Sequence, residues 1–302
     1  MQPISRQRQL VEEEGGVHAV KRGRLGWLHF ENLPFLIKVF RFSLRAAFLR
    51  SRGRRNAESI MVEEVEIKLA NLPAEFEGMR ILFLTDIHID SLEGIGRRIL
   101  EEAGKLDYDL CILGGDYSFK MDRGHDTECA SQMEELARGL AESSPVYGVL
   151  GNHDRYGIAE TLSAAGVRML VNDSVAITKG DSCLHLVGID DSHYFGADDL
   201  ELAQSSIRDG ECRIVISHSP EPYRRIARAG GHLQLSGHTH GGQVCLPGGI
   251  AVVTSSSVPY KIVKGKWSWK NMQGYTSRGA GVSGVAVRFF CRPEMTVITL
   301  GK

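Results

Sequence analysis

Arg80-Ile-Leu-Phe-Leu-Thr-Asp-Ile-His88 is an apolar run that stops at a polar residue and then offers a carboxylate and an imidazole two positions apart. A short run bounded in this way reads as a strand buried on both faces. Side chains two apart on extended chain point the same way, so Asp86 and His88 suit a single metal ion. The pattern recurs downstream. Leu110-Cys-Ile-Leu113 leads into Gly114-Gly-Asp116, and Pro145-Val-Tyr-Gly-Val-Leu150 leads into Gly151-Asn-His-Asp154. Between these runs, residues 93–105 and 126–142 carry a helical pattern. Strands that alternate with helices argue for an α/β fold, and open α/β sheets place their sites at the carboxyl ends of the strands.

Two further blocks follow. His218 stands in Ile216-Ser-His-Ser-Pro220, and Gly237-His-Thr-His-Gly-Gly242 again sets two imidazoles two apart, between glycines that let backbone crowd a site. Past residue 170 the text is richer in strands, at 183–189, 212–216, 232–236, 243–253 and 286–300. Upstream, Val65, Ile67 and Leu69 alternate with charged residues, as on a half-buried strand. A lone DxH or HxH pair is weak evidence, and a single His on an apolar strand is more often structural than a ligand. Five such blocks, each closing a strand, make a metal site. Asp116 has two oxygens that can reach two cations, and the Asn152 amide ligates without adding charge.

The order DxH, GD, GNHD, a lone His and GHTHGG resembles the signature of the calcineurin-like metallophosphoesterases, from Asp86 to Gly242. The resemblance implies a four-layer α-β-β-α sandwich of two mixed sheets. It assigns Asp86, His88 and His240 to one metal and Asn152, His218 and His238 to the other, with Asp116 bridging. It makes His153 a catalytic residue over the substrate and Asp154 the residue that orients it. The implied reaction is metal-dependent hydrolysis of phosphoric esters or anhydrides. With nitrogen and oxygen donors and no thiolate, Mn is the first choice of cation, and Fe, Zn and Ni also suit. No GxSxG elbow and no cysteine phosphatase loop is present, so a covalent nucleophile is not called for. The GxGxxG match at Gly279-Ala-Gly-Val-Ser-Gly284 leads into a strand pattern, not a helix. It reads as a glycine-rich loop at the rim of the metal site, not a dinucleotide fingerprint.

The net charge of -1 conceals an asymmetry. Residues 1–55 hold 12 Lys/Arg against 4 Asp/Glu, and the remaining chain holds 24 against 33. A basic arm on an acidic body points to an anionic partner. Residues 1–24 read as a mobile polar lead-in, and Arg50-Ser-Arg-Gly-Arg-Arg55 as a linker. Between them, Leu33, Leu36, Ile37, Phe40, Leu44 and Phe48 share a helical pattern with Lys38, Arg41 and Arg45. This is the text of an amphipathic helix at about 33–49, lying in a membrane interface or packed on the catalytic body or a partner. The chain divides into an extension, 1–58, and a catalytic domain, 59–302. No signal peptide and no run of roughly 20 apolar residues is present. The six cysteines are scattered without a CxxC pair and read as free thiols.

The basic helix, Gly237–Gln243 and the tail from Ser277 resemble the bacterial membrane-associated branch of that family. That branch includes pyrophosphatases that cleave UDP-2,3-diacylglucosamine to lipid X and UMP in lipid A synthesis. The resemblance implies a lipid-linked nucleotide substrate and a cytoplasmic enzyme held at the inner face of the membrane through residues 27–55. The acidic body and the Phe/Leu content of the arm argue against a nucleic-acid partner. A broad envelope phosphodiesterase or phosphatase is the alternative, and a non-catalytic scaffold is disfavoured by the intact ligand set.

Overall fold

In the computed structural model, residues 5–13, 49–119 and 126–302 are described. Strands β1 (Met61–Lys68), β2 (Arg80–Leu84), β3 (Leu110–Leu113), β4 (Val146–Gly148) and β5 (Val167–Met169) form one sheet, together with the last strand of the chain. β6 (Asp173–Lys179), β7 (Ser182–Gly188), β8 (Cys212–Ile216) and β9 (Leu233–Ser236) form most of a second. β10 (Cys245–Leu246) and β11 (Ile250–Ala251) are a small separate hairpin. β12 (Gly265–Trp269) and β13 (Met272–Thr276) complete the second sheet, and β14 (Glu294–Gly301) inserts between β1 and β2 of the first. Both sheets are mixed. β2 to β5 run parallel while β14 is antiparallel to β2, and β7, β8, β9 and β13 run parallel between two antiparallel edges.

Period-two burial sorts the side chains into layers. Ile81 and Phe83 of β2, Leu110 and Ile112 of β3, Leu184 and Leu186 of β7, and Ile214 and Ile216 of β8 meet between the sheets. The alternate residues Leu82, Leu84, Cys111 and Leu113 face outward. There they are covered by α3 (Ile95–Ala103), α4 (Asp126–Ala141) and α5 (Gly157–Ala164), which follow α1 (Arg6–Glu13) and α2 (Arg50–Glu58) in chain order. Val187 and Val215 face the other way, onto α6 (Leu200–Ala203) and α7 (Tyr223–Arg228). The result is the expected α-β-β-α sandwich.

The structure differs from the sequence reading in instructive places. Residues 6–13 are helical and docked, because Arg8 is fully buried and pairs with Asp190. Arg50–Glu58 is a helix, not a linker. Its Gly53 lies so close to Val287 and Phe289 that a Cβ would sit 2.7 Å from each, and Ala57 enters the core. Residues 286–293 are irregular, and β14 begins only at Glu294. The segment is drawn inward because Arg288 turns its guanidinium to the carbonyls of Gly279 and Gly281. The run 243–253 is broken by a turn at Gly248 and Gly249, both at positive φ. Helix α5 and strand β6 were not read from the sequence. The amphipathic helix expected at 33–49 falls, except for Leu49, outside the described residues.

Candidate two-metal centre

All five blocks close strands, and the loops at those ends meet in one place. Asp86 and His88 follow β2, Asp116 follows β3, and Asn152 follows β4. His218 follows β8, and His238 and His240 follow β9. Asp86, His88 and His240 converge as one donor group, and Asp116, His218 and His238 as a second. His88 Nε2 lies 3.2 Å from His240 Nε2, and His240 Nε2 lies 3.3 Å from Asp86 Oδ1. Asp116 Oδ2 lies 3.1 Å from His218 Nε2 and 3.8 Å from His88 Nε2, so its carboxylate stands between the groups. Asn152 Oδ1 joins the second group at 2.7 Å from His238 Nδ1.

The blocks point inward for a reason other than strand periodicity. Asp86, His88, Asp116, His238 and His240 all have positive φ, from 42° to 67°. Each such residue outside glycine costs about 1–3 kcal/mol and persists only where its surroundings hold it. Cross-loop bonds do so here. The Asp86 amide donates to Gly115 O, the His88 amide to Asp116 O, and the His238 amide to the Asp86 carboxylate. Two glycines permit the close approach: a Cβ on Gly151 would fall 2.2 Å from Asp116 Oδ1, and one on Gly237 would fall 2.2 Å from Asp86 Oδ2.

Hydrogen bonds behind the donors fix which nitrogen faces the centre. His88 Nδ1 is 2.9 Å from Ser118 O, His218 Nδ1 is 2.8 Å from Gly114 O, and His238 Nε2 is 3.0 Å from Ser255 O. Thr85 Oγ1 donates to Asp86 Oδ2.

Electrostatics favour cations. Burial pushes His88 down to about 4 and holds His238 and His240 well below the usual imidazole value, so these rings are neutral and their lone pairs are available. Burial opposes charge on His218 as well. The Asp116 carboxylate, with help from Asp86 and Gly114 O, more than offsets it and raises the ring to about 10. Burial likewise raises Asp86 to about 6. For Asp116 burial acts upward too, but the charges of His218, His153 and His88 hold it well below the carboxylate range.

The donors fit two divalent cations. They are nitrogen and oxygen only, they are buried, and they converge from both sheets on the Asp116 carboxylate, 3.1 Å from His218 Nε2. Two imidazole nitrogens face each other across 3.2 Å in the other group, a contact that a shared cation satisfies.

His153 lies apart from the donor groups. It is half-buried, its ring stands edge-on to His88 with centroids 5.1 Å apart, and Nδ1 is 3.1 Å from Phe119 O. The resemblance implies that Asp154 orients that ring. The Asp154 carboxylate is instead occupied by three backbone amides, those of Asp116, Tyr117 and Gly151, each at 2.8 Å. Asp154 therefore fixes the loop beneath His153, and Phe119 fixes the ring. The Gly279–Gly284 loop lies directly behind the first block: the Ala280 amide donates to Thr85 O and the Gly281 amide to Asp86 O.

Several supporting residues were not read from the sequence. Arg288 is fully buried, bonds the carbonyls of Arg278, Gly279 and Gly281, and reaches His240 O and Nδ1 at 3.3 Å. One arginine inside an apolar run was the only signal. Arg8 donates to Asp154 O and to Asp190 from a segment far away in sequence. The His193 ring lies tilted against His238, with centroids 4.2 Å apart, and meets Glu221 at 2.9 Å.

The family model for calcineurin-like phosphoesterases matches residues 79–242. The chain is 29% identical to Phosphodiesterase YaeI of Escherichia coli (strain K12) over 253 residues, covering 79% of this chain and 88% of that protein. It is also 29% identical to the uncharacterized metallophosphoesterase YkuE of Bacillus subtilis (strain 168), over 82% of this chain and 88% of that one. A Danio rerio transmembrane protein with a metallophosphoesterase domain is 28% identical over 81% of this chain and 58% of its own length. The match spans every donor and His153, on a sandwich whose strand ends gather them, and the chain belongs to the calcineurin-like phosphoesterase family.

Proposed function

We propose that this metal-dependent phosphoesterase cleaves a phosphodiester or pyrophosphate bond in a lipid-linked substrate at a membrane surface. UDP-2,3-diacylglucosamine, split to lipid X and UMP, is the first candidate. The observation that carries the hydrolytic part is the convergence of two buried donor groups on Asp116, with His153 half-exposed beside them. Two divalent cations bound there supply water activation and neutralise phosphoryl charge, and Mn is the cation proposed. The chain's own residues do the rest. The buried donors set the geometry, the cross-loop bonds hold it, and His153 gives its proton to the leaving oxygen.

The lipid part rests on the surface next to the mouth. Leu246, Ile250, Val252, Val253, Tyr260 and Phe290 are exposed apolar residues. They form one neighbourhood. Leu246 pairs with Ile250, Tyr260 Oη accepts from the Ala251 amide, and Phe290 O lies close to Gly249. Ser255, two residues past Val253, bonds the ligand His238. Helix α2, with exposed Arg50, Arg52, Arg54 and Arg55, lies against Phe289. Exposed apolar residues near a metal ligand, together with the exposed arginines of α2, suit an anionic lipid surface. Among the described residues no helix is long and apolar enough to cross a membrane; the association proposed is peripheral, at the inner face.

The test is UMP release from UDP-2,3-diacylglucosamine by Mn-loaded protein, beside bis(p-nitrophenyl) phosphate. UMP release with a clear preference for the acylated substrate is expected. Turnover of the aryl diester alone would overturn the lipid assignment and favour a broad envelope phosphodiesterase; the E. coli relative is a phosphodiesterase.

A further inference from the structure

We propose that Cys183, His185 and Glu211 form a further cation site that takes one Zn²⁺, separate from the two-metal centre. Cys183 and His185 are alternate residues of β7. Leu184 and Leu186 take its face toward the inter-sheet core, so Cys183 and His185 share the opposite face. Strand β8 runs parallel to β7 with Cys212 opposite Leu184, which brings Glu211 abreast of Cys183. These residues stand at the start of β7, and the catalytic loops lie past its far end. Five residues of strand at about 3.3 Å each separate Cys183 from Gly188.

The donor atoms are spaced for tetrahedral zinc. Cys183 Sγ is 3.5 Å from His185 Nε2, and His185 Nε2 is 3.1 Å from Glu211 Oε2; all three donors lie within 4.8 Å of one another. Zn–S near 2.3 Å and Zn–N and Zn–O near 2.1 Å, in a tetrahedron, give S–N and N–O edges of about 3.6 and about 3.4 Å. Hydrogen bonding does not account for the trio as well. One imidazole nitrogen carries either a proton or a lone pair, so His185 Nε2 cannot donate to Glu211 and accept from the thiol together. A cation satisfies all three at once. Glu211 Oε2 is held by the Arg208 amide at 2.9 Å, which orients the carboxylate. The His185 side chain is 12% exposed and that of Glu211 29%, which leaves room for a water as fourth ligand and an entry path. The thiolate separates this site chemically from the catalytic centre and favours zinc over manganese. A bound ion would clip the start of β7 to the turn before β8.

Cobalt distinguishes the two sites. A thiolate ligand gives Co²⁺ a near-ultraviolet charge-transfer band, and the nitrogen and oxygen donors of the catalytic centre give none. Titration of metal-free full-length protein with Co²⁺ is expected to raise that band, at saturation, to the intensity of one thiolate-bound ion per chain. Cys183→Ser and His185→Gln should abolish it, while His218→Ala keeps it. Mass spectrometry of zinc-saturated protein should find one Zn²⁺ fewer per chain in either β7 variant. Circular dichroism checks that each variant is folded. Absence of the band at saturating Co²⁺ overturns the proposal, and so does a band unchanged in folded Cys183→Ser. The readout needs no turnover, so inactive protein with an intact band would sink the hydrolytic reading and leave this site standing.

Discussion

The two sheets contribute different chemistry to the catalytic centre. Loops at the ends of β2, β3 and β4 supply both carboxylates, the amide and one imidazole: Asp86, Asp116, Asn152 and His88. Loops at the ends of β8 and β9 supply only imidazoles: His218, His238 and His240. Each donor group needs both sheets. Asp86 and His88 are completed by His240 from the other sheet, and His218 and His238 by Asp116 and Asn152. Neither half makes a site alone, so the centre exists only once the sheets have packed face to face. Metal binding and native packing are therefore thermodynamically linked.

Asp116 is the sharpest place to break this arrangement, because it serves both groups. Asp116→Ala should lower kcat by about 10³-fold or more, the scale of losing a preorganised electrostatic contact. It should also reduce the metal content measured by mass spectrometry. Two ions retained per chain would mean that the halves are independent. His153→Ala isolates proton transfer from metal binding. We expect a fall in kcat of about 10²–10³-fold, within the range for a general acid, with metal content unchanged. Loss of metal in that variant would place His153 among the ligands.

Arg288 tests how far the second sheet's loops depend on support from behind. Arg288→Met should weaken metal affinity about 10–100-fold, read by competition with a chromophoric chelator. An unchanged affinity would reduce Arg288 to a packing residue.

Protons should compete with the metals. Without metal, His218 stays charged up to about 10 against Asp116. The stabilisation that this pair gives the metal-free fold is present below the unfolded histidine value and is lost as pH rises through about 10. A cation must displace that proton, so apparent Mn affinity should fall about tenfold per pH unit on acidification below neutrality. Calorimetry in buffers of different ionisation enthalpy counts the proton. No proton release near neutral pH would contradict the pairing. The smallest effect on turnover is expected at Arg8, which meets the His153–Asp154 loop at the backbone oxygen of Asp154. Arg8→Met should change kcat by less than about tenfold. It also leaves Asp190 buried without its partner, a loss on the order of 3–5 kcal/mol that thermal unfolding would register.

Much of this was legible in the sequence because the donors are punctuation. A strand in an α/β sheet is a short apolar run, and the polar residues that stop it stand at the sheet's edge, where the site lies. Asp86, His88, Asp116, Asn152, His218, His238 and His240 all announce themselves this way; the same runs argue for an α/β fold, and the resemblance implied the two-sheet sandwich. Other features left no local signature. Residues 6–13 read as solvated because their charges look ordinary; only Asp190 and the Asp154 carbonyl, brought close in space, make Arg8 a buried residue. Residues 286–293 read as strand because Arg288 interrupts an apolar run only once, and the carbonyls that pull it inward lie on another loop.

The sequence by itself determined the α/β class and the candidate donors, since each is written in short-range residue order, and the order of the blocks carried the family resemblance that implied the layering and the reaction. Tertiary structure decided how those donors converge. DxH and HxH do not aim their side chains through strand periodicity; they sit at positive φ, held by amides and carbonyls from neighbouring loops. It also decided that Asp154 secures backbone while Phe119 O meets the His153 ring, and that Cys183 and His185 acquire Glu211 as a neighbour. These contacts join residues remote in the chain, and only the packed sheets bring them within reach.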